Sequence, residues 1–88
     1  MTEAKLTIHV ELYASLMSYL PTGSSRHRTT VTVPADITPH QLIDRLGIPR
    51  DLAHLVLRNG VFVLPLERNE AVFADGDLFA LWPPVAGG

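Results

Sequence analysis

Apolar and polar residues alternate strictly from Leu6 to Leu12, with Leu6, Ile8, Val10 and Leu12 on one side and Thr7, His9 and Glu11 on the other. A period of two is that of a strand with one buried face, so this stretch predicts a first strand. Tyr13 falls opposite Leu12, and the spacing then changes: Leu16, Met17 and Leu20 recur as on a helix, predicting a short helical turn that Pro21 stops. From Thr22 to Arg28 the chain carries Gly23, Ser24, Ser25, Arg26 and His27, and reads as an exposed loop. Alternation returns over Thr29 to Val33, with Val31 and Val33 inward, giving a second strand that ends at Pro34 and pairs with the first as a hairpin.

Thr38 followed by Pro39 is a helix cap with proline at the first helical position, and Leu42, Ile43 and Leu46 form one apolar stripe before Gly47. The main helix is therefore expected over residues 39–46. Ile48 and Pro49 prevent its continuation, and Asp51 to His54 is expected to form another short turn before a buried strand at Leu55, Val56 and Leu57. Asn59-Gly60 is a two-residue hairpin turn, because both positions tolerate positive φ, and Val61 to Val63 should return antiparallel. A polar stretch, Glu67 to Glu70, and a turn at Asp75-Gly76-Asp77 precede a last strand, Leu78 to Trp82. This order is that of an α+β domain in which one main helix covers one face of a small mixed sheet. The first and last strands are expected side by side in its middle.

The chain has 88 residues, 47% of them apolar, which is enough for one small domain with a modest core. A net charge of -2 provides no basic field, so neither nucleic acid nor an anionic membrane is expected as a partner. No stretch approaches the roughly 20 apolar residues of a membrane span, and the N-terminus has no apolar leader segment, so a cytoplasmic location is expected. There is no cysteine, which removes disulfides, thiolate metal sites and a cysteine nucleophile. His9, His27, His40 and His54 are scattered without the close pairing of a zinc site, so no metal is expected. Ser24, Ser25 and His27 lack an orienting acid and read as a solvated loop rather than a nucleophile and its base.

The end of the chain is unusual. Pro83 and Pro84 stiffen the exit from the last strand and deny it further ladder hydrogen bonds, while Gly87 and Gly88 leave the terminal backbone without side chains. The outcome is a narrow, reachable carboxylate. Together with the first strand running into Leu12-Tyr13-Ala14-Ser15-Leu16, the Arg58-Asn59-Gly60 turn, Asp75-Gly76-Asp77 and Trp82-Pro83-Pro84-Val85-Ala86-Gly87-Gly88, this end resembles the ubiquitin-like sulfur carriers over nearly the whole chain. The small subunit of molybdopterin synthase is the nearer likeness and the thiamine-pathway sulfur carrier the more distant one. The main helix and the segment from Leu46 to Leu55 look shorter than in a typical subunit of that synthase, and the loop from Ser24 to Arg28 also departs from it.

The resemblance implies a β-grasp domain over residues 1–82 and an extended tail over 83–88. It implies that the Gly88 carboxylate is adenylated by an ATP-dependent activating enzyme of the ubiquitin type, becomes a thiocarboxylate, and is inserted into a partner that takes the sulfur. Pro83, Pro84, Val85, Ala86 and Gly87 then supply the reach. The implied partners are that activating (adenylating) enzyme and the large subunit of molybdopterin synthase or another sulfur-accepting enzyme. ATP is used by the activating partner, this chain binds no cofactor, and catalysis lies with the partners of a molybdopterin synthase-type complex. An α-carboxylate with a pKa of roughly 3.3 to 3.7 is anionic at neutral pH and a poor acyl acceptor, which is why activation is needed.

Strand alternation puts Phe79 and Leu81 on one face and Leu78, Ala80 and Trp82 on the other, where Tyr13 and Phe62 can join Trp82 as an aromatic patch. The resemblance places Tyr13, Phe62 and Trp82 at partner contacts, with Arg58 as a polar rim; the alternatives are rings that complete a small core and a solvated Arg58. Other functions remain open from the residues: a sulfur carrier for another pathway, a ubiquitin-like protein modifier that joins Gly88 to a target lysine, or an interaction domain with an inert tail.

Overall fold

The computed structural model describes residues 4–84. Five strands form one sheet in the order β2-β1-β5-β3-β4, where β1 is Lys5–Leu12, β2 Arg28–Pro34, β3 Leu55–Arg58, β4 Val61–Phe62 and β5 Leu78–Trp82. β1 pairs antiparallel with β2 and parallel with β5, and β3 pairs antiparallel with both β5 and β4. The first and last strands thus lie side by side at the centre, as expected of a small mixed sheet covered on one face by one helix. The single α-helix among the described residues, α1, is Pro39–Arg45. Thr38 caps it reciprocally: its hydroxyl accepts from the Gln41 N–H at 3.2 Å, and the Gln41 side chain accepts from the Thr38 N–H at 3.0 Å. Gly47 leaves the helix at φ 78, a backbone conformation that costs glycine nothing.

The inward side chains of β1 (Ile8, Val10, Leu12), β5 (Phe79, Leu81) and β3 (Val56) meet Leu42 and Ile43 of α1, and all of them are buried. Phe73 packs edge-on against Phe79, with ring centroids 5.0 Å apart and planes at 87°. This is the β-grasp arrangement: a mixed sheet with one main helix across one face. The segment after Tyr13 is a 3-10 helix at Ala14–Tyr19, another 3-10 turn spans Arg50–Leu52, and a third spans Pro65–Asn69. The last of these replaces a stretch whose polarity gave no sign of regular structure. It exists because Arg68, only 9% exposed, tucks under the sheet edge and donates to the carbonyls of Val63 and Ala53.

The two turns read from the sequence lock onto each other. Asn59 (φ 52) and Gly60 (φ 82) reverse the chain between β3 and β4, both in the left-handed region the turn requires. The Asn59 side chain then donates to the Asp77 carboxylate at 2.9 Å and accepts from the Leu78 N–H at 2.9 Å. Asp77 also accepts from Arg58 at 2.7 Å and from the Ala74 N–H at 2.8 Å. One buried carboxylate thereby joins the β3–β4 hairpin to the start of the central strand.

Candidate functional site

With the core on one side, every strand presents its other side away from α1. The register aligns those outward residues into rows. One row runs Arg28, Glu11, Ala80, Leu57, Phe62 across all five strands, and the next pairs Trp82 with Leu55 beside Tyr13. Ala80, although outward, is only 6% exposed, because the side chains beside it are large and its own is small. The face is apolar in its middle and carries Phe62, 43% exposed, toward one edge and the Arg28–Glu11 ion pair toward the other.

At the end of β5 the aromatic residues come together. The rings of Tyr13 and Trp82 stack with centroids 4.2 Å apart and planes within 3° of parallel, and the His27 ring lies 4.8 Å from that of Tyr13, tilted by 35°. The Tyr13 hydroxyl donates to Glu11 Oε1 at 2.8 Å, and Glu11 Oε2 accepts from Arg28 Nη2 at 2.8 Å and Nε at 3.1 Å. The hydrogen bond from Arg28, reinforced by that from Tyr13, lowers the Glu11 carboxyl from its ordinary value despite desolvation. The hydrogen bond to Glu11 correspondingly raises the Tyr13 phenol. The backbone is held at the same place: the Tyr13 N–H donates to the Leu81 carbonyl at 3.1 Å, and the His54 N–H to the Trp82 carbonyl at 3.0 Å.

Directly after Tyr13 the chain turns sharply. Ala14 has φ 53, a left-handed conformation that costs an alanine roughly 1–2 kcal/mol. Beside it lies an apolar hollow bordered by Ala14, Ser15, His54, Leu55, Trp82, Pro83 and Pro84. Pro83 and Pro84 therefore follow β5 between a clamped strand end and an open apolar surface.

Tyr13 and Trp82 are brought into contact on the open face, and Phe62 lies on the same face, separated from Trp82 by the β3 side chains Leu55 and Leu57. The Phe62 ring is instead 5.6 Å from the Arg68 guanidinium. Arg58 is placed elsewhere: its register partners are Phe79 and Val61, on the helix-facing side, and its guanidinium is committed to Asp77. Val85, Ala86, Gly87 and Gly88 lie outside the described residues. Glu11, Arg28, His27 and Ala14 were missed from the sequence. Glu11 had a readable signal, since two residues before Tyr13 on a strand is the same face. His27 and Arg28 had none, because the long loop between β1 and β2 leaves the hairpin register unspecified. Ser24, whose hydroxyl donates to the Pro21 carbonyl at 2.7 Å, is a turn residue. Among the described residues no group of three or more His, Cys, Asp or Glu side chains is placed to hold a metal ion, and no helix is long and apolar enough to cross a membrane.

No family model matches the chain. Curated relatives are found in fruit flies: the molybdopterin synthase sulfur carrier subunits of Drosophila melanogaster and Drosophila sechellia are each 29% identical over 87 residues, covering 94% of this chain and 92% of theirs. Among solved structures, small archaeal modifier protein 1 of H. volcanii superposes with a TM-score of 0.66 and 27% identity, covering 91% of this chain and 99% of its own. The solution structure of another Haloferax volcanii protein superposes with a TM-score of 0.74 at 24% identity, covering 96% and 88%.

Proposed function

We propose that this chain, a β-grasp homologue of the molybdopterin synthase sulfur carrier subunits, carries sulfur as a thiocarboxylate on its C-terminal glycine for use in cofactor biosynthesis. The observation that supports this most directly is the way the central strand ends. β5 is clamped on both sides up to Trp82, then passes through Pro83 and Pro84 at the rim of an apolar hollow and leads, in sequence, to Val85-Ala86-Gly87-Gly88.

In this reading an ATP-dependent adenylating enzyme does the first step: the Gly88 carboxylate attacks the α-phosphorus of ATP, forming a mixed anhydride and releasing pyrophosphate. Hydrosulfide released by a donor then attacks the acyl carbon and AMP leaves carrying one of the carboxylate oxygens, so that a C–S bond replaces a C–O bond with no change of oxidation state. The chain contributes no acid, base or metal to these steps. Its part is a tail free of side chains at Gly87 and Gly88, for passage into a narrow site, and a docking surface. Residues 83–88 form that tail, and Tyr13, Trp82 and Phe62 anchor the activating enzyme and the large synthase subunit in turn. Arg58 contributes by holding Asp77 and the hairpin in place. ATP stays with the activating partner, and the chain works in the cytoplasm.

The test is to incubate the chain with an activating enzyme, ATP and a sulfur donor and to measure its intact mass. Exchange of one oxygen for sulfur at the terminus is expected; an unchanged mass with an enzyme shown to be competent refutes the proposal. The likeness to small archaeal modifier protein 1 favours one further reading, conjugation of Gly88 to lysines of other proteins. Adducts of higher mass in the same experiment would identify it.

A further inference from the structure

Sulfur transfer through a tail requires more than a free carboxylate; the tail must leave the domain in a direction that lets the last residue arrive in the partner's site. Pro83 and Pro84 transmit the orientation of Trp82 outward, since each proline fixes its own φ. What fixes Trp82 is the stack with Tyr13, and what fixes the Tyr13 ring is its hydroxyl bond to Glu11. Glu11 is in turn held by a two-pronged contact from Arg28 on the neighbouring strand. We infer that Tyr13 and Glu11 are positioning residues for acyl activation: the series Arg28–Glu11–Tyr13–Trp82 aims the Pro83–Pro84 exit from β5, and thereby biases how often the Gly88 carboxylate arrives in place to react.

The inference rests on the sulfur-carrier reading and adds to it a role that docking does not require. A stacked aromatic pair could supply apolar contact area with any orientation of the phenol. Here the hydroxyl is tied at 2.8 Å to a carboxylate that is itself mostly covered, 15% exposed, and engaged on both oxygens. Such an arrangement restricts the ring about its own axis and in tilt, which matters for aim and adds nothing to contact area. The backbone is consistent with it, because the Tyr13 N–H and His54 N–H bonds fix the last two residues of β5 from either side. Beyond Trp82 the prolines lack N–H groups to pair with a neighbouring strand, so direction must be set at Trp82 or not at all.

The test is steady-state adenylation of the chain by its activating enzyme, with kcat and KM for the carrier determined separately. Tyr13→Phe keeps the stacked ring and removes only the tether, while Glu11→Ala removes the acceptor. Both are expected to lower kcat about fivefold, the effect of one ordinary hydrogen bond, with KM changed by less than about twofold. The double variant is expected to be no worse than either single one, and Glu11→Gln, whose amide oxygen still accepts, to recover most of the loss. Trp82 is the one tryptophan of the chain, so its fluorescence anisotropy reports the same tether directly and should fall in Tyr13→Phe at unchanged melting temperature. Unchanged kcat, or a KM effect with kcat preserved, overturns the inference, the latter by assigning the Tyr13 hydroxyl to docking rather than to aim. If the wild-type chain itself is not adenylated, the sulfur-carrier reading falls, and an anisotropy equal in both chains overturns the tether independently.

Discussion

Replacing Asp77 by alanine tests whether one carboxylate joins two halves of the sheet. Asp77 is 6% exposed and accepts three hydrogen bonds, from Arg58 at 2.7 Å, Asn59 at 2.9 Å and the Ala74 N–H at 2.8 Å. Its removal leaves two neutral donors to find other partners, at about 1 kcal/mol each. Breaking a fully buried ion pair costs roughly 3–5 kcal/mol, but the Arg58 side chain is 36% exposed and can turn toward water, so only part of that is charged. The expected loss is about 2–4 kcal/mol, which in a domain of this size is on the order of 10–25 °C in melting temperature. Urea titration with a thermal melt measures it.

The pH dependence supplies a second check. Burial acts to raise the Asp77 carboxyl, but the bonds from Ala74, Asn59 and Arg58 outweigh it and leave the group lowered from its ordinary value. A lowered folded value means that the stabilisation is complete above the unfolded value of about 3.9 and is lost as pH falls through the folded one. The stability gap between the wild-type chain and Asp77→Ala should therefore be constant near neutrality and narrow below about pH 4. A loss under about 1 kcal/mol, or a gap indifferent to acid, would show that the turns hold together without the carboxylate.

Two further outcomes follow from the same region. Ala14→Gly relieves the φ of 53 and should raise stability by about 0.5–1 kcal/mol in thermal melts, and any clear loss would mean that the Ala14 methyl packs more usefully than the strain costs. If the chain acts as proposed, Trp82→Ala should weaken binding to a large synthase subunit by about 2 kcal/mol or more in titration calorimetry while the free domain stays folded; unfolding of the free domain would instead assign the ring to the core.

Much of the fold was legible in the chain because its signals were local. Strict alternation in β1, the Thr38-Pro39 cap and the Asn59-Gly60 turn each specify geometry within a few residues, and each is found where it was read. The side-by-side placement of β1 and β5 followed from layer logic rather than from any local pattern, and that they run parallel is a finding of the structure. Arg68 shows the limit: in a run of Glu67, Arg68, Asn69 and Glu70 nothing distinguishes the cation that turns inward, because its partners are carbonyls of Val63 and Ala53. Arg58 shows another. Next to a turn it reads as a rim residue, yet the residue that claims it, Asp77, lies on a different turn. At the candidate site the shared face of Glu11, Tyr13 and Trp82 is readable from period two, whereas the contacts from His27 and Arg28 depend on the β1–β2 register, which the intervening loop leaves open.

The parallel pairing at the centre has a kinetic consequence. The Thr7 N–H reaches Asp75 across 68 positions of sequence, and β5 must slide between β1 and β3 before the core can close. Two hairpins, β1–β2 and β3–β4, can form early, but neither buries the helix alone, so assembly waits on a strand whose contacts are almost all distant in sequence. On a ribosome that strand emerges only after both of the strands it pairs with, β1 and β3. Trp82 thus belongs to the keystone of the sheet and is clamped only once the sheet is complete, so that in the proposed function a partner enzyme recognising that strand end would meet only finished domains.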